Sequence, residues 1–196
     1  MKNLILAFGC LLLSSFATQA QDKLKHHEVA VGYGFLSTST MINIFSDVLA
    51  SAITGGNYSK TDNNWSGNLI ASYKFTPSNK LGLGLTYAHT RNTANINIHD
   101  VPSGKSTTNY HTIAAEVQYN YITKPYFRLY SVLGAGITSY TEKYEPNAGS
   151  TEKNTAGHFN FQLSPVGVKV GNRIGAMAEL GFGYKGLFNA GLFVRI

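Results

Sequence analysis

The chain has 196 residues, of which only 13% are charged, and it carries a formal net charge of +6. Its lysines and arginines are scattered along the sequence and form no cluster of the kind that binds nucleic acid or anionic lipid, so the sequence does not predict a nucleic-acid-binding protein. The 20 glycines, 12 tyrosines and 11 phenylalanines favour β structure with small residues on one face and aromatic residues at interfaces.

The amino-terminal residues have the pattern of a secretory signal peptide. A short basic start precedes the apolar run Leu4–Leu13, and small residues follow up to Ala20. The apolar run is too short to cross a bilayer as a helix, which needs about 20 residues. The residues before Cys10 make a poor lipoprotein signal. We therefore expect residues 1–20 to be removed on export and residues 21–196 to form one cysteine-free domain.

Eight segments of this domain alternate with the two-residue period of a β-strand. They are predicted at Val29–Phe35, Trp65–Phe75, Leu81–Ala88, Tyr110–Ile122, Phe127–Tyr140, from His158 to a bend or bulge at Pro165, Ala176–Lys185 and Leu187–Ile196. The faces of the fifth segment stay open, because Arg128 and Gly134 share a face with Tyr130 and Val132.

The connections between these segments alternate in length, except that the one after the seventh segment is also tight. Tight turns are predicted at Thr76–Lys80, Thr123–Pro125, Gly171–Arg173 and Gly186, and long loops at Ser37–Asn64, Arg91–Asn109 and Thr141–Gly157. An even number of strands with short turns at one end and longer loops at the other is typical of an all-β, eight-stranded antiparallel up-and-down barrel in a membrane.

A soluble lipocalin-like barrel would also alternate, with its apolar face inside. Here one face carries glycines and lone mid-strand charges, whereas the other carries continuous aliphatic and aromatic residues. Aromatic residues also gather near the predicted strand ends, where membrane barrels have interfacial girdles. These are Trp65, Tyr73, Phe75, Tyr119, Tyr121, Phe127, Phe159 and Tyr184. The pattern favours the membrane barrel.

An eight-stranded barrel has an interior just wide enough for its own side chains. Glu116 and Glu179 face that interior, and a buried carboxylate is costly unless a cation pairs with it. The candidate partners are Lys74, Arg128, Lys169, Lys185 and Arg195, with Arg195 assigned to Glu116 or Glu179. The sequence favours an ion-pair network that plugs the lumen over a gated path or proton relay.

Two segments near the end resemble the hairpins of small outer-membrane barrel proteins. These segments are Gln162–Gly171 and Ala178–Gly186, and the resemblance is to the OmpA/OmpX/OmpW-like β-barrel domain in its standalone form. It implies a cell-envelope protein of the outer membrane, porin-like in architecture, expected as a monomer surrounded by outer-membrane lipids. Assembly by the outer-membrane insertion machinery is also implied, although the family's signal usually ends in an aromatic residue and this chain ends in Ile196.

The first long loop contains a segment with helical periodicity. Its apolar positions are Met41, Ile42, Phe45, Val48, Leu49, Ala52 and Ile53, with Ser39 or Thr40 as the cap and Gly55-Gly56 as the stop. We favour a helix that packs on the barrel rim or lies in the membrane interface. The alternative is a lid or docking surface for a small apolar ligand, as in an OmpW-like conduit.

The histidines give little support for a metal or catalytic site. His89, His111 and His158 are predicted near the outer strand ends, with His111 and His158 on the inward face, but no carboxylate or cysteine stands at a ligand spacing. Neither His89 nor His111 is followed by the serine that a lipid A deacylase would require. We therefore predict a non-catalytic structural or surface-interaction role with no cofactor, and keep a lipid-modifying enzyme as a second alternative. The interacting loops are predicted around Asn57, Asn97 and Asn147.

Overall fold

The computed structural model of the chain describes residues 26–55, 57–99, 101–147 and 149–196. The predicted signal peptide lies outside these residues. The elements in chain order are β1 (His26–Phe35), α1 (Thr38–Ile53), β2 (Tyr58–Thr76), β3 (Leu81–Ile98), β4 (Val101–Lys124), β5 (Phe127–Pro146), β6 (Glu152–Gly171), β7 (Ile174–Gly183) and β8 (Phe188–Arg195). In the part of the chain described, no helix is both long and apolar enough to cross a membrane.

The eight strands form one closed antiparallel barrel. Each strand pairs with its sequence neighbours, and β1 also pairs with β8, with Val29 opposite Val194. Closure leaves no unpaired strand edge, so every strand can satisfy its backbone hydrogen bonds inside the barrel wall. The predicted eight-stranded up-and-down barrel is confirmed.

The barrel is apolar on its outer surface and polar inside. Leu85 and Leu192 are each 61% exposed on the outside, whereas the inward Lys74 and Glu116 are 4% and 2% exposed. This distribution is the reverse of a water-soluble barrel and suits a wall surrounded by lipid. The inward face of β5 carries Tyr130, which is fully buried, so the structure resolves the face that the sequence left open.

Bulges interrupt the strand pairing at several places, and two of them bear on the predicted faces. The bulge predicted at Pro165 is present: two residues, Pro165 and Val166, lie opposite the single residue Ser131. A second bulge at Gly67, which has a φ of +72°, was not predicted. It turns Trp65 away from the lipid-facing side, so that its ring stacks on Tyr110 at 6.3 Å between centroids.

The prediction of a lipid-facing Tyr184 was also wrong. The chain turns at Gly183, whose φ is +145°, and Tyr184 points inward with 2% exposure. Trp65 and Tyr184 therefore do not belong to the interfacial girdle. Tyr73, Tyr119, Tyr121, Phe127 and Phe159 do lie exposed on the outer face.

Two of the predicted long loops are largely β-structure. Strands β3 and β4 pair up to Ile98 and Val101, and β5 and β6 pair up to Tyr144 and Glu152. The outward residues of these arms are mostly polar, and apolar ones such as Ala94 and Ile96 face inward, so the outward apolar residues that mark the membrane-spanning part are missing while strand pairing continues. The barrel therefore has long outer arms on β2–β6 and a low wall at β7, β8 and β1.

Candidate functional site in the charged barrel interior

The centre of the lumen holds two glutamates and two lysines. Lys185 lies 3.1 Å from Glu116 and 2.6 Å from Glu179, and Lys74 lies 3.4 Å from Glu116 and 3.9 Å from Glu179. Lys74, Glu116 and Glu179 come from inward positions of β2, β4 and β7, and Lys185 follows the turn after β7. We call these four residues the central cluster. Its charges balance, because each carboxylate contacts both ammonium groups.

A second group lies nearer the end of the barrel that carries the short turns. Glu28 forms ion pairs with Lys169 and, at 3.0 Å, with Nε of Arg195. The Arg195 guanidinium also donates to the carbonyl of Asn172 at 2.9 Å and lies over the Phe193 ring at 4.3 Å. Arg128, which is 8% exposed, lies at the same end of the barrel. We call Glu28, Arg128, Lys169 and Arg195 the lower cluster.

Polar and aromatic side chains join the clusters. Gln118 accepts hydrogen bonds from Lys74 and Lys169, each at 3.1 Å. Tyr130 donates to Glu179 at 2.9 Å, and Tyr184 donates to Glu116 at 2.8 Å. These contacts satisfy much of the hydrogen-bonding capacity of the buried carboxylates, as a stable buried charge requires.

The structure brings most of the predicted interior residues together but changes their partners. Six form ion pairs: Lys74, Glu116, Lys169, Glu179, Lys185 and Arg195. Arg195 pairs with Glu28 rather than with Glu116 or Glu179. Arg128 has no ion pair among the described residues.

Glu28, Tyr130 and Tyr184 are the main interior residues that the sequence analysis missed. Glu28 stands two positions before the inward Ala30, so extending the alternation of β1 backwards would have found it.

The network closes the lumen. Glu179 and Lys169 are each 1% exposed, and Gln162, Ser164 and Tyr130 are fully inaccessible. Side chains from all sides therefore meet across the barrel, as expected for an eight-stranded interior. The arrangement can hold the wall rigid and exclude water.

Helix α1 begins inside the outer mouth of the barrel. Ser37 caps it, rather than Ser39 or Thr40: the backbone N–H of Thr40 donates to its hydroxyl at 3.4 Å. Thr38 donates to Asn160 at 3.0 Å, Asn43 donates to the Tyr110 hydroxyl, and Asp47 pairs with Lys60 at 2.9 Å. The polar side of α1 thus faces the barrel.

The opposite side of α1 is apolar and exposed. It presents Met41, Ile42, Phe45, Val48, Leu49 and Ile53, with exposed fractions from 38% to 77%. These residues point away from the lumen and do not line an interior cavity. They adjoin Phe35 and Leu36 at the end of β1, which are also more than half exposed.

The histidines form no metal centre in the described residues. His111 faces outward and stacks on His89 at 4.6 Å between ring centroids, whereas His158 faces inward, so the predicted shared inward face was wrong. His89 contacts the carbonyl of Tyr110, and His111 contacts the Tyr87 hydroxyl at 2.7 Å. Neither ring is hydrogen-bonded to a described serine or carboxylate.

The outer arms present polar and charged groups. Lys143 donates to Glu145 at 2.6 Å, and this hydrogen bond together with the lysine charge lowers the pKa of Glu145. Asn95 donates to Asp62 at 2.9 Å, and Ser106 donates to Glu142 at 2.9 Å. A cavity of about 410 Å³ lies between the arms beside Ile96, Tyr144 and Lys153.

A closed eight-stranded barrel with an apolar outer face and an ion-paired lumen defines the class of outer-membrane β-barrels. The model of the outer membrane protein beta-barrel domain family matches residues 8–190, and the chain belongs to this family. Its location is accordingly the outer membrane.

The chain is also similar to two solved outer-membrane barrels over most of its length. Ail, the attachment invasion locus protein of Yersinia pestis, solved with the heparin analogue sucrose octasulfate, is 12% identical, with 88% of this chain and 97% of that chain covered at a TM-score of 0.46. The N-terminal β-barrel domain of Pseudomonas aeruginosa OprF is 17% identical, with 89% and 98% covered at a TM-score of 0.42. At such identities the likeness concerns the fold alone. No curated protein sequence matches the chain.

Proposed function

We propose that the protein is a closed, non-catalytic outer-membrane barrel that holds a polar surface outside the membrane, where it contacts other molecules. The filled lumen carries the proposal: fully buried ion pairs cross it, and Lys169 and Glu179 are each 1% exposed. A path for solutes would require these charges to separate in a poorly hydrated interior, which is costly.

The outer arms supply the surface in this proposal. Paired strands extend past the apolar belt as far as Ile98, Val101, Tyr144 and Glu152, so the arms are held by backbone hydrogen bonds rather than left as free loops. A surface with fixed side chains loses less entropy on contact with a partner than a mobile loop does.

The closed lumen predicts the absence of a steady conductance. The refolded protein, inserted into planar lipid bilayers, is expected to leave the current at its baseline under applied voltage, while an open porin in the same bilayers conducts. Steady unitary steps that scale with the amount of inserted protein would contradict the proposal and favour the conduit for small molecules.

We further propose that the apolar side of α1 lies in the outer membrane interface. Its polar side is held by Asn43 and Asp47, and the exposed Phe35 and Leu36 make it continuous with the lipid-facing surface of β1. An amphipathic helix at the boundary of a bilayer buries such a face among headgroups and acyl chains.

Fluorescent labels test this placement. Val48 lies on the apolar side of α1, whereas Thr151 lies in the connection between β5 and β6 at the tip of an outer arm, and both are exposed. In lipid nanodiscs a polarity-sensitive dye on Val48→Cys is expected to emit at shorter wavelength and to be quenched by a lipid-attached quencher. The same dye on Thr151→Cys serves as the control and should resemble the dye in water. Equal, water-like emission at both positions would leave the apolar side to a ligand or protein instead.

A further inference from the structure

The turn end of the barrel contains a basic cavity that the closed-barrel role does not use. Its volume is about 450 Å³, and the tips of the β2–β3, β4–β5 and β6–β7 connections surround it. Four of its lining residues are basic: Lys124, Arg128, Arg173 and Arg195. No acidic side chain lines it. In this class of barrel the short turns face the periplasm.

The buried charges beneath this cavity do not balance. The lower cluster sets three cations, Lys169, Arg195 and Arg128, against the single carboxylate of Glu28. The central cluster above it is neutral, with two lysines and two glutamates, and so supplies no compensating charge. With the carboxylate of Ile196 at the cavity counted as well, one positive charge is in excess at the floor of the cavity, in surroundings where an unpaired charge is costly, and Lys124 and Arg173 add two more at the rim.

The hydrogen-bonding capacity of both arginines is also incompletely used. Nη2 of Arg195 is buried without an acceptor, although Nε and Nη1 of the same group are bonded. Nε of Arg128 is buried without an acceptor, and this side chain, more than nine-tenths buried, has no side-chain hydrogen bond to another described residue. Two guanidinium groups with unmet donors line one cavity, and the planar guanidinium fork matches phosphate oxygens.

We propose that this cavity binds the phosphate group of a phosphate ester, with Arg128 and Arg195 as its main ligands and Lys124 and Arg173 at its rim. A phosphate group carries a single negative charge as the diester of a phospholipid headgroup and about −1.5 to −2 as a monoester. Either form can pair with the excess positive charge and the basic rim, and its free oxygens accept hydrogen bonds from guanidinium groups. The volume leaves room for the organic part of the ester. The phosphate can come from a phospholipid headgroup of the inner leaflet or from a free periplasmic compound.

Arginine side-chain NMR separates these two sources. The folded protein in a phosphate-free maltoside detergent is titrated in one arm with inorganic phosphate and in the other with short-chain phosphatidylglycerol. The Nε–H signal of Arg128 is expected to shift and to saturate. A signal that shifts with inorganic phosphate but not with the lipid identifies a site for free anions. A signal that shifts with the lipid but not with inorganic phosphate identifies a site for a lipid headgroup.

Variants make the test specific. In the variants, binding is followed by the Nε–H signal of Arg195, which all of them retain. Arg128→Gln, checked for folding by its heat-modifiable migration on a denaturing gel, is expected to weaken binding about 10- to 100-fold, as the loss of charge-assisted hydrogen bonds implies. Arg91→Gln, which changes an exposed arginine at the opposite end of the barrel, should bind as the unaltered protein does. Binding that is equal in all three proteins, or an Arg128 signal that does not move in either arm, overturns the proposal even if Arg128→Gln fails to fold.

Discussion

Replacing Glu179 with methionine is expected to destabilise the folded barrel by about 3–5 kcal/mol, the range observed when one partner of a buried ion pair is removed. Glu179 accepts from Lys185 at 2.6 Å and from Tyr130 at 2.9 Å. Its loss leaves the Lys185 ammonium and Lys74 to share Glu116 alone, in an interior where the side chains are almost inaccessible to water.

Urea unfolding in detergent micelles, followed by the fluorescence of the single tryptophan, measures this loss. Glu145→Gln is the control: it breaks the exposed pair with Lys143, and because solvent screens that pair it should leave the free energy of unfolding close to that of the unaltered protein.

The double variant Glu179→Met/Lys185→Met is expected to recover much of the stability lost in Glu179→Met, because the remaining Lys74 and Glu116 again balance. If the double variant loses as much free energy of unfolding as Glu179→Met and Lys185→Met lose together, the central cluster does not act as a unit.

The barrel could be predicted from sequence because the membrane imposes one simple rule on every spanning strand. Outward residues must be apolar, so alternation identifies both the strand and its direction, as it did for Phe188 to Ile196. The rule fails where the membrane ends. The arm residues Thr93–Ile98 still alternate, but their apolar Ala94 and Ile96 face inward and their outward residues are polar, so the membrane rule does not identify them as a strand.

Backbone irregularities at single glycines are the second reason why the sequence predicts the wrong face for some side chains. A bulge at Gly67 reverses the face of Trp65, and the positive φ of Gly183 turns Tyr184 inward. A glycine in a strand permits such a change but does not require it, so the sequence marks the position without specifying the outcome.

The charged interior was predictable by residue type but not by pairing. Alternation places Lys74, Glu116 and Glu179 inside, whereas which cation reaches which carboxylate depends on the stagger between strands. Arg195 lies opposite Glu28 in the β1–β8 pairing, and that pairing exists only because the barrel closes. This contact is therefore set by the whole fold rather than by any local pattern.

Pairs of one glycine and one aromatic residue on the inward face also depend on how neighbouring strands are aligned. Tyr130 on β5 lies opposite Gly167 on β6, and a Cβ added to Gly167 would stand 2.5 Å from two atoms of the Tyr130 ring. Phe193 covers Gly175 similarly, with a ring atom 2.6 Å from the added Cβ. An aromatic ring over a cross-strand glycine fills the space that the missing side chain leaves.

Gly167→Ala is therefore expected to destabilise the barrel by about 3 kcal/mol, from overpacking and from a displaced charge-assisted hydrogen bond. The Tyr130 ring is fully buried, lies under the Lys169 ammonium at 4.8 Å, and donates its hydroxyl to Glu179. It has no free space to move into without losing these contacts. Gly82→Ala is the control, because its added Cβ would approach the Gln118 Cβ at 3.3 Å, and we expect a loss below about 1 kcal/mol.

A double-mutant cycle with Tyr130→Phe distinguishes this mechanism from a general loss of packing. Tyr130→Phe removes only the hydroxyl that bonds to Glu179, so alone it should cost about 1.5–3 kcal/mol, as for a hydrogen bond to a charged group. In the Gly167→Ala background the same change should cost much less, because the displaced ring has already lost that bond. Urea unfolding of the four proteins measures the coupling. Equal costs of Tyr130→Phe in both backgrounds would mean that the ring keeps its place over an alanine, and that the close approach to Gly167 does not position Tyr130 against the central cluster.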